Sequence, residues 1–350
     1  MSLNSSAPAS GRSRLHRVLV AGLLTAAMAV TAAPAASAAQ PAAVPPGVDV
    51  ERLGGSNRMQ TSVEISKTYF PGGSSVVYLA TAHDFADALV AGPAAAAEGG
   101  PVLLTPAGGL DGTVAQEIKR LAPYKVVLVG GEGAVSQKVA DSVAEIVGAK
   151  AVERIGGDNR YQTSANIARA VFPEGAEEAY LATGLDYPDA LSAAPLAGAL
   201  EVPVVLVRGT STSPDAETVA LLDELGIVQA SLVGGNGVIS AGFQSGLKAS
   251  GVATFRYAGK DRYHTNLLVN RELLGYSGEV MLATGMNYPD ALAGAASAGW
   301  HATPIYLSRP TCVPAASLAD FLDPDAEVEL VTLLGGEGVL SKNVANLGSC

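Results

Sequence analysis

Three phrases each occur three times in this chain, in the same order and at nearly the same spacing, and any fold assigned to it has to account for that. Residues 52–62 read RLGGSNRMQTS, 154–164 read RIGGDNRYQTS and 256–266 read RYAGKDRYHTN, so Arg52, Arg154 and Arg256 stand 102 residues apart. The second phrase is TAHDFADAL at 81–89, TGLDYPDAL at 183–191 and TGMNYPDAL at 284–292. The third is VGGEGAVS at 129–136, VGGNGVIS at 233–240 and LGGEGVLS at 334–341. The chain therefore divides into copies at 48–149, 150–251 and 252–350. Each copy is long enough to bury a core of its own.

The middle copy shows what one unit folds into. Apolar residues at helical spacing predict a helix over 165–172, entered through Thr163 and Ser164. AYLAT (179–183) reads as a strand, and 189–200 as an alanine-rich helix. VPVVLV (202–207) is a continuous apolar run, the mark of a strand buried on both faces. An amphipathic helix over 214–225 and a strand over 229–233 follow, with Ser240 placed to cap one more helix. Strand and helix alternate throughout, which implies parallel strands joined by right-handed crossovers. The expected fold is α/β, with three tandem open parallel-sheet modules of about four strands each. Pro93 and Pro195 fall inside the second helix of their copies, so that helix either starts late or kinks.

Residues 1–38 read as a secretory signal peptide: Arg12, Arg14 and Arg17, an apolar run over 18–33 too short to span a bilayer, then Ala36-Ser37-Ala38. Residues 39–47, rich in alanine and proline, read as a flexible lead-in. The formal charge of −11 falls by three to −14 once the leader arginines are removed. Such a chain lacks the basic face that nucleic acid or anionic lipid requires, so no nucleic acid is expected. No second apolar run of spanning length follows the leader, so no stable membrane insertion after signal cleavage is expected either. Cys312 and Cys350 are the only cysteines, and in an exported protein they imply a disulfide.

Two readings stand for the first phrase. Its glycines, Asn57, Asn159 or Asp261, then Arg58, Arg160 or Arg262, then Thr61, Thr163 or Thr265, have the make-up of an anion site at a helix N-terminus. The same residues also suit a tight turn and a helix cap, with each arginine paired to the aspartate 28 or 29 residues later in its own copy: Asp87, Asp189 or Asp290. In the second phrase Phe85, Tyr187 and Tyr288 are candidates to stack on sugar rings, beyond the carboxyl ends of parallel strands where α/β sheets bind ligands. Pro188 and Pro289 suit a first helical position there. The third phrase lacks the full dinucleotide or phosphate-loop pattern and reads as turn and cap.

Catalytic material is sparse. His83, His264 and His301 take different places in different copies, and no metalloprotease or serine-hydrolase motif occurs. The carboxylate pairs Asp84/Asp87 and Asp186/Asp189 are broken in the third copy by Asn287. No enzyme activity, cofactor or metal is expected.

These phrases resemble the cell-wall-binding repeat type 2 family, whose modules carry R-[IL]-G-G-x-[DN]-R-Y-x-T-S, A-T-G-x-x-[FY]-P-D-A-L and V-G-G-x-x-[AV]-[IV]-S segments. All three recur here in each copy. The resemblance implies noncovalent attachment of an exported protein to a Gram-positive wall through an anionic secondary cell-wall polymer or another wall glycan. It also implies modules similar to the Toprim type, packed pseudo-symmetrically. Members pair such modules with an effector region, for which the copies leave no room here. A secreted wall-glycan-modifying enzyme and a self-assembling surface-layer protein are the alternative readings.

Overall fold

The computed structural model describes residues 44–85 and 87–350. The expected signal peptide and the first part of the lead-in lie outside the described residues. At the end of the lead-in, Val44 packs on the core of the third copy, as does Val48 just beyond it. Among the described residues no helix is long and apolar enough to cross a membrane.

The first copy runs β1 (Asp49–Leu53), α1 (Arg58–Tyr69), β2 (Val76–Thr81), α2 (Ala91–Glu98), β3 (Val102–Thr105), α3 (Gly112–Leu121), β4 (Lys125–Val129) and α4 (Gln137–Val147). The second repeats this as β5 (Val152–Ile155), α5 (Arg160–Val171), β6 (Glu178–Thr183), α6 (Pro188–Leu200), β7 (Val204–Val207), α7 (Ala216–Glu224), β8 (Gln229–Val233) and α8 (Ala241–Ala249). The third is β9 (Ala253–Tyr257), α9 (Arg262–Asn270), β10 (Glu279–Thr284), α10 (Pro289–Trp300), β11 (Ile305–Ser308), α11 (Ala315–Phe321), β12 (Leu330–Leu334) and α12 (Lys342–Ala345). The fold is α/β with three parallel four-stranded sheets, as expected.

A sheet and a sequence repeat are nevertheless different pieces of chain. The sheet orders are β3-β2-β4-β5, β7-β6-β8-β9 and β11-β10-β12-β1. Each sheet thus takes its outer strand from the start of the next copy, and β1 closes the cycle by pairing with β12, Asp49 opposite Leu330.

Burial follows the two-residue period of the central strands. In β2, Tyr78 and Ala80 face a core shared by all three copies, while Val77 and Leu79 face a core private to the first. Tyr180 and Ala182 against Ala179 and Leu181 repeat this in β6, and Met281 and Ala283 against Val280 and Leu282 in β10. The shared core exists because α2, α6 and α10 pack on one another. Their alanines and glycines permit close approach: a Cβ built on Gly92 would stand 2.6 Å from that of Ala295. This is why those helices are apolar all round rather than amphipathic. In the first copy a short 3-10 turn (Ala88–Val90) precedes α2, placing Pro93 in the first turn, so the late start holds there. In the second copy α6 runs unbroken through Pro195.

The first helix of the middle copy begins at Arg160, five residues before the position expected from its apolar spacing, and its counterparts begin at the matching Arg58 and Arg262. Asn57, Asn159 and Asp261 are the N-caps, accepting from the main-chain N–H of Gln60, of Tyr161 and Gln162, and of His264. The Thr-Ser pair therefore lies inside the helix rather than at its entrance. Ser62, Ser164 and Asn266 are buried and accept from Leu104, Leu206 and Leu307 N–H, satisfying the free edge of β3, β7 and β11.

Cys312 and Cys350 form the expected disulfide, with Cα atoms 5.0 Å apart. It ties the chain end to the loop before α11, where Val313 and Gly348 also bond. Replacing both cysteines by serine is expected to lower stability by about 3–4 kcal/mol, from the chain entropy of a loop of this length. The check is a fall in the unfolding free energy extrapolated to water, with a slope of the urea transition that holds or steepens as the unfolded chain is released from its cross-link.

Candidate functional site

All three phrases meet at the seams between copies. The first phrase of one copy is set against the second and third phrases of the copy before it, and the cycle is completed by the first copy against the third. Arg52, Arg154 and Arg256 fix the approach by donating to the carbonyls of Gly335, Gly130 and Gly234 at 2.7, 3.1 and 2.7 Å. Gly54 and Gly156 then press on those same turns: a Cβ on Gly156 would stand 2.7 Å from the Gly130 main chain. The third copy has Ala258 in the corresponding place.

Asp87, Asp189 and Asp290 lie under the glycine turn of their own copy. A Cβ on Gly130, Gly234 or Gly335 would come within 2.6, 2.5 and 2.5 Å of the aspartate oxygens, and each of these glycines has positive φ. The third phrase therefore requires glycine for conformation and for room. Burial pushes Asp189 and Asp290 up to about 6, with Asp186 adding to the rise at Asp189. Burial raises Asp87 as well, against the pull of the Thr163 hydroxyl and Arg160.

The arginine pairing differs from the one expected. Each side chain of Arg58, Arg160 and Arg262 donates to a main-chain carbonyl of its own copy, on Ala82, Gly184 and Gly285, at 2.5, 2.6 and 2.8 Å. The aspartates that feel their charge belong to the preceding copy: Asp290 feels Arg58, Asp87 feels Arg160 and Asp189 feels Arg262. Arg262 also pairs with Asp186 at 3.6 Å. Sequence spacing within one copy could not show this, because the partner comes from a neighbour brought in by strand exchange.

Phe85, Tyr187 and Tyr288 form a triangle, with ring centroids 5.7, 5.6 and 5.8 Å apart. The three copies thus surround a common axis, and the aromatics pack on one another there. The arginine of the next copy covers each ring: Arg58 over Tyr288, Arg160 over Phe85 and Arg262 over Tyr187, at 5.9, 5.4 and 5.7 Å.

Thr61, Thr163 and Thr265 are buried. Thr61 and Thr265 accept from the N–H of Gly55 and Gly259, bracing the turn. The first-phrase arginines remain partly exposed, and Asn57 and Asp261 are exposed. Between the third and first copies they border a cleft of about 490 Å³, lined by Asn57, Arg58, Asn287, Asp290 and Glu337 among others. The spacing arguments missed Arg52, Arg154, Arg256 and the third-phrase glycines as parts of this site. Their recurrence in all three copies was the available signal.

Residues 52–140, 154–244 and 256–345 each match the Cell wall binding domain 2 (CWB2) family. The chain belongs to that family. Among curated relatives, N-acetylmuramoyl-L-alanine amidase LytC of Bacillus subtilis (strain 168) is 31% identical over 246 residues, 70% of this chain and 47% of the relative. The Amidase enhancer of the same organism is 27% identical over 296 residues, 85% of this chain and 39% of the relative. The chain thus spans less than half the length of these CWB2-related proteins. Among solved structures, Cwp6 from Clostridium difficile superposes with a TM-score of 0.78 at 27% identity, covering 86% of this chain and 48% of that one. Cwp8 from the same organism gives 0.74 at 25% identity, covering 85% and 51%.

Proposed function

We propose that this protein is an exported, non-catalytic wall-binding protein that attaches noncovalently to a cell-wall glycan, an anionic secondary polymer in particular, through its three seams. The observation that carries this reading is the convergence of every repeated phrase on the seams, beyond the carboxyl ends of parallel strands. A catalytic centre needs one site of special chemistry, whereas three near-equivalent sites on one rigid body suit a repeating polymer. Avidity follows from geometry: once one seam is engaged, the next meets its ligand at high effective concentration. The contacting groups are the partly exposed guanidiniums of Arg58, Arg160 and Arg262 and the polar caps Asn57, Asn159 and Asp261. The aspartates, threonines and axial aromatics hold those groups in place. Arginine here supplies focal positive charge on a chain whose formal charge is −11.

Sedimentation with purified walls tests this. The protein is expected to bind intact walls, and to lose binding after the secondary polymer is extracted. Replacing Arg58, Arg160 and Arg262 together by glutamine is expected to weaken binding at least about tenfold while the thermal transition remains cooperative. Undiminished binding by the triple variant, or to extracted walls, would count against the seams or the polymer respectively.

A further inference from the structure

Outside the seams, each copy has a second groove, between its first and third helices. The three are equivalent in position but not in make-up: Arg208 and Arg309 follow the third strand of the second and third copies, where the first has Pro106. In the second copy Arg208 stacks on Tyr161 at 4.2 Å and is neutralised by Asp215 at 2.8 Å. Glu217 lines the same groove, and Asp158 follows the paired glycines of the first phrase. In the third copy Arg309 stacks on Tyr263 at 5.1 Å in the same way. There, however, Pro314 holds the N-cap place of Asp215, and Ala316 and Lys260 stand where Glu217 and Asp158 do. The stacked guanidinium is kept and its Asp215 partner has no counterpart, while Asp261 lines the groove in the place of Asn159. Among the described residues no carboxylate pairs with Arg309 or Lys260.

The structure assigns this third groove as a binding site for a small anion, a phosphate or carboxylate borne on a sugar-sized group. Its volume is about 370 Å³, room for one such group rather than for a length of polymer. Arg309 offers forked donors above an aromatic face, Lys260 a second positive charge, and His264 a ring whose Nδ1 is taken by the Lys260 N–H. The one acidic side chain in the lining, Asp261, already accepts from the His264 main chain as the cap of α9. Cys350 forms part of the wall, so the disulfide braces the groove from one side. Arg309 N–H bonds to the Cys312 carbonyl, so the loop bearing the guanidinium is fixed by the same brace. The groove adjoins a seam through Asp261 but uses neither Arg58, Arg160 nor Arg262.

Calorimetric titration of the full chain at low salt, with glucose 6-phosphate as probe and glucose as control, tests it. The phosphate ester is expected to bind and glucose is not. Arg309→Gln is expected to weaken binding about tenfold. Pro314→Asp, which restores the countercharge of the second copy at a position that favours aspartate, should abolish it without loss of folding. The Arg58, Arg160 and Arg262 triple variant should bind the probe as well as the parent chain does. Displacement of the probe by purified walls would identify a polymer-borne anion as the occupant, and its persistence a free one. Absence of binding, or binding that survives both Arg309→Gln and Pro314→Asp, overturns the assignment.

Discussion

Replacing Gly198 by leucine is expected to destroy cooperative folding of all three copies at once, at a cost of about 4 kcal/mol or more. Gly198 lies in α6 where two other helices press on it. Even a bare Cβ there would stand 2.7 Å from the Ala96 methyl of α2 and 3.1 Å from the Gly299 Cα of α10. Gly299 meets the same neighbours from its own side, with Ala96 at 2.8 Å and Gly198 at 3.0 Å. No rotamer of leucine avoids backbone on both sides, so the helices must separate. That opens the core shared by β2, β6 and β10 along with the three seams. The measurement is a urea transition followed by circular dichroism, beside a leucine at exposed Ser245 as control. Loss of less than about 1 kcal/mol at Gly198 would show that the three helices are not held together by close packing.

The fold was legible wherever local pattern and final environment agree. The continuous apolar runs gave the buried strands, and Gln229–Val233 occupies the residues expected for it. Pro188 and Pro289 start α6 and α10 as their residue type suggests. What stayed hidden was the exchange of the outer strand, because β5 is as extended and as short in its neighbour's sheet as it would be in its own. Everything dependent on that exchange was hidden with it: the partner of Arg160 is a residue of the preceding copy, at a sequence distance that a within-copy search reads as noise. The alanine-rich helices carried a clue of this kind. A helix apolar on every side, in a chain with no membrane-length span among its described residues, must be surrounded by protein. Three of them in three copies implies that they surround each other. The meeting of the aromatics was hidden for a similar reason, since one ring per copy gives no sign that the three pack together.

Stability is expected to increase as pH is lowered from 7.5 to about 5, by about 2 kcal/mol, the reverse of ordinary acid lability. The cause is the pair Asp189 and Asp290, whose carboxyls burial pushes from the usual 3.8 to about 6. Between those values the folded chain binds protons that the unfolded chain does not, so folding is favoured as pH falls through about 6 and disfavoured as it rises. The interval covers about one pH unit below the folded value, which corresponds to about 1.4 kcal/mol for each carboxyl as a ceiling, and Asp87 shifts in the same direction. Asp111, held low by the Thr113 hydroxyl, acts oppositely, but only below the ordinary aspartate range. Urea unfolding at pH 7.5, 6 and 5 measures the slope, and Asp189→Asn with Asp290→Asn should flatten most of it. A parent chain that loses stability over this interval would contradict the burial of charge at the seams. If the slope is as expected, two of the three seams hold an aspartate that is ionised at neutral pH at a real energetic penalty, each beside an arginine supplied by the next copy. Asparagine would fill the same space under the glycine turn without that penalty. Keeping the carboxylate therefore favours a role in orienting Arg58 and Arg262 toward a ligand over a role in holding the copies together.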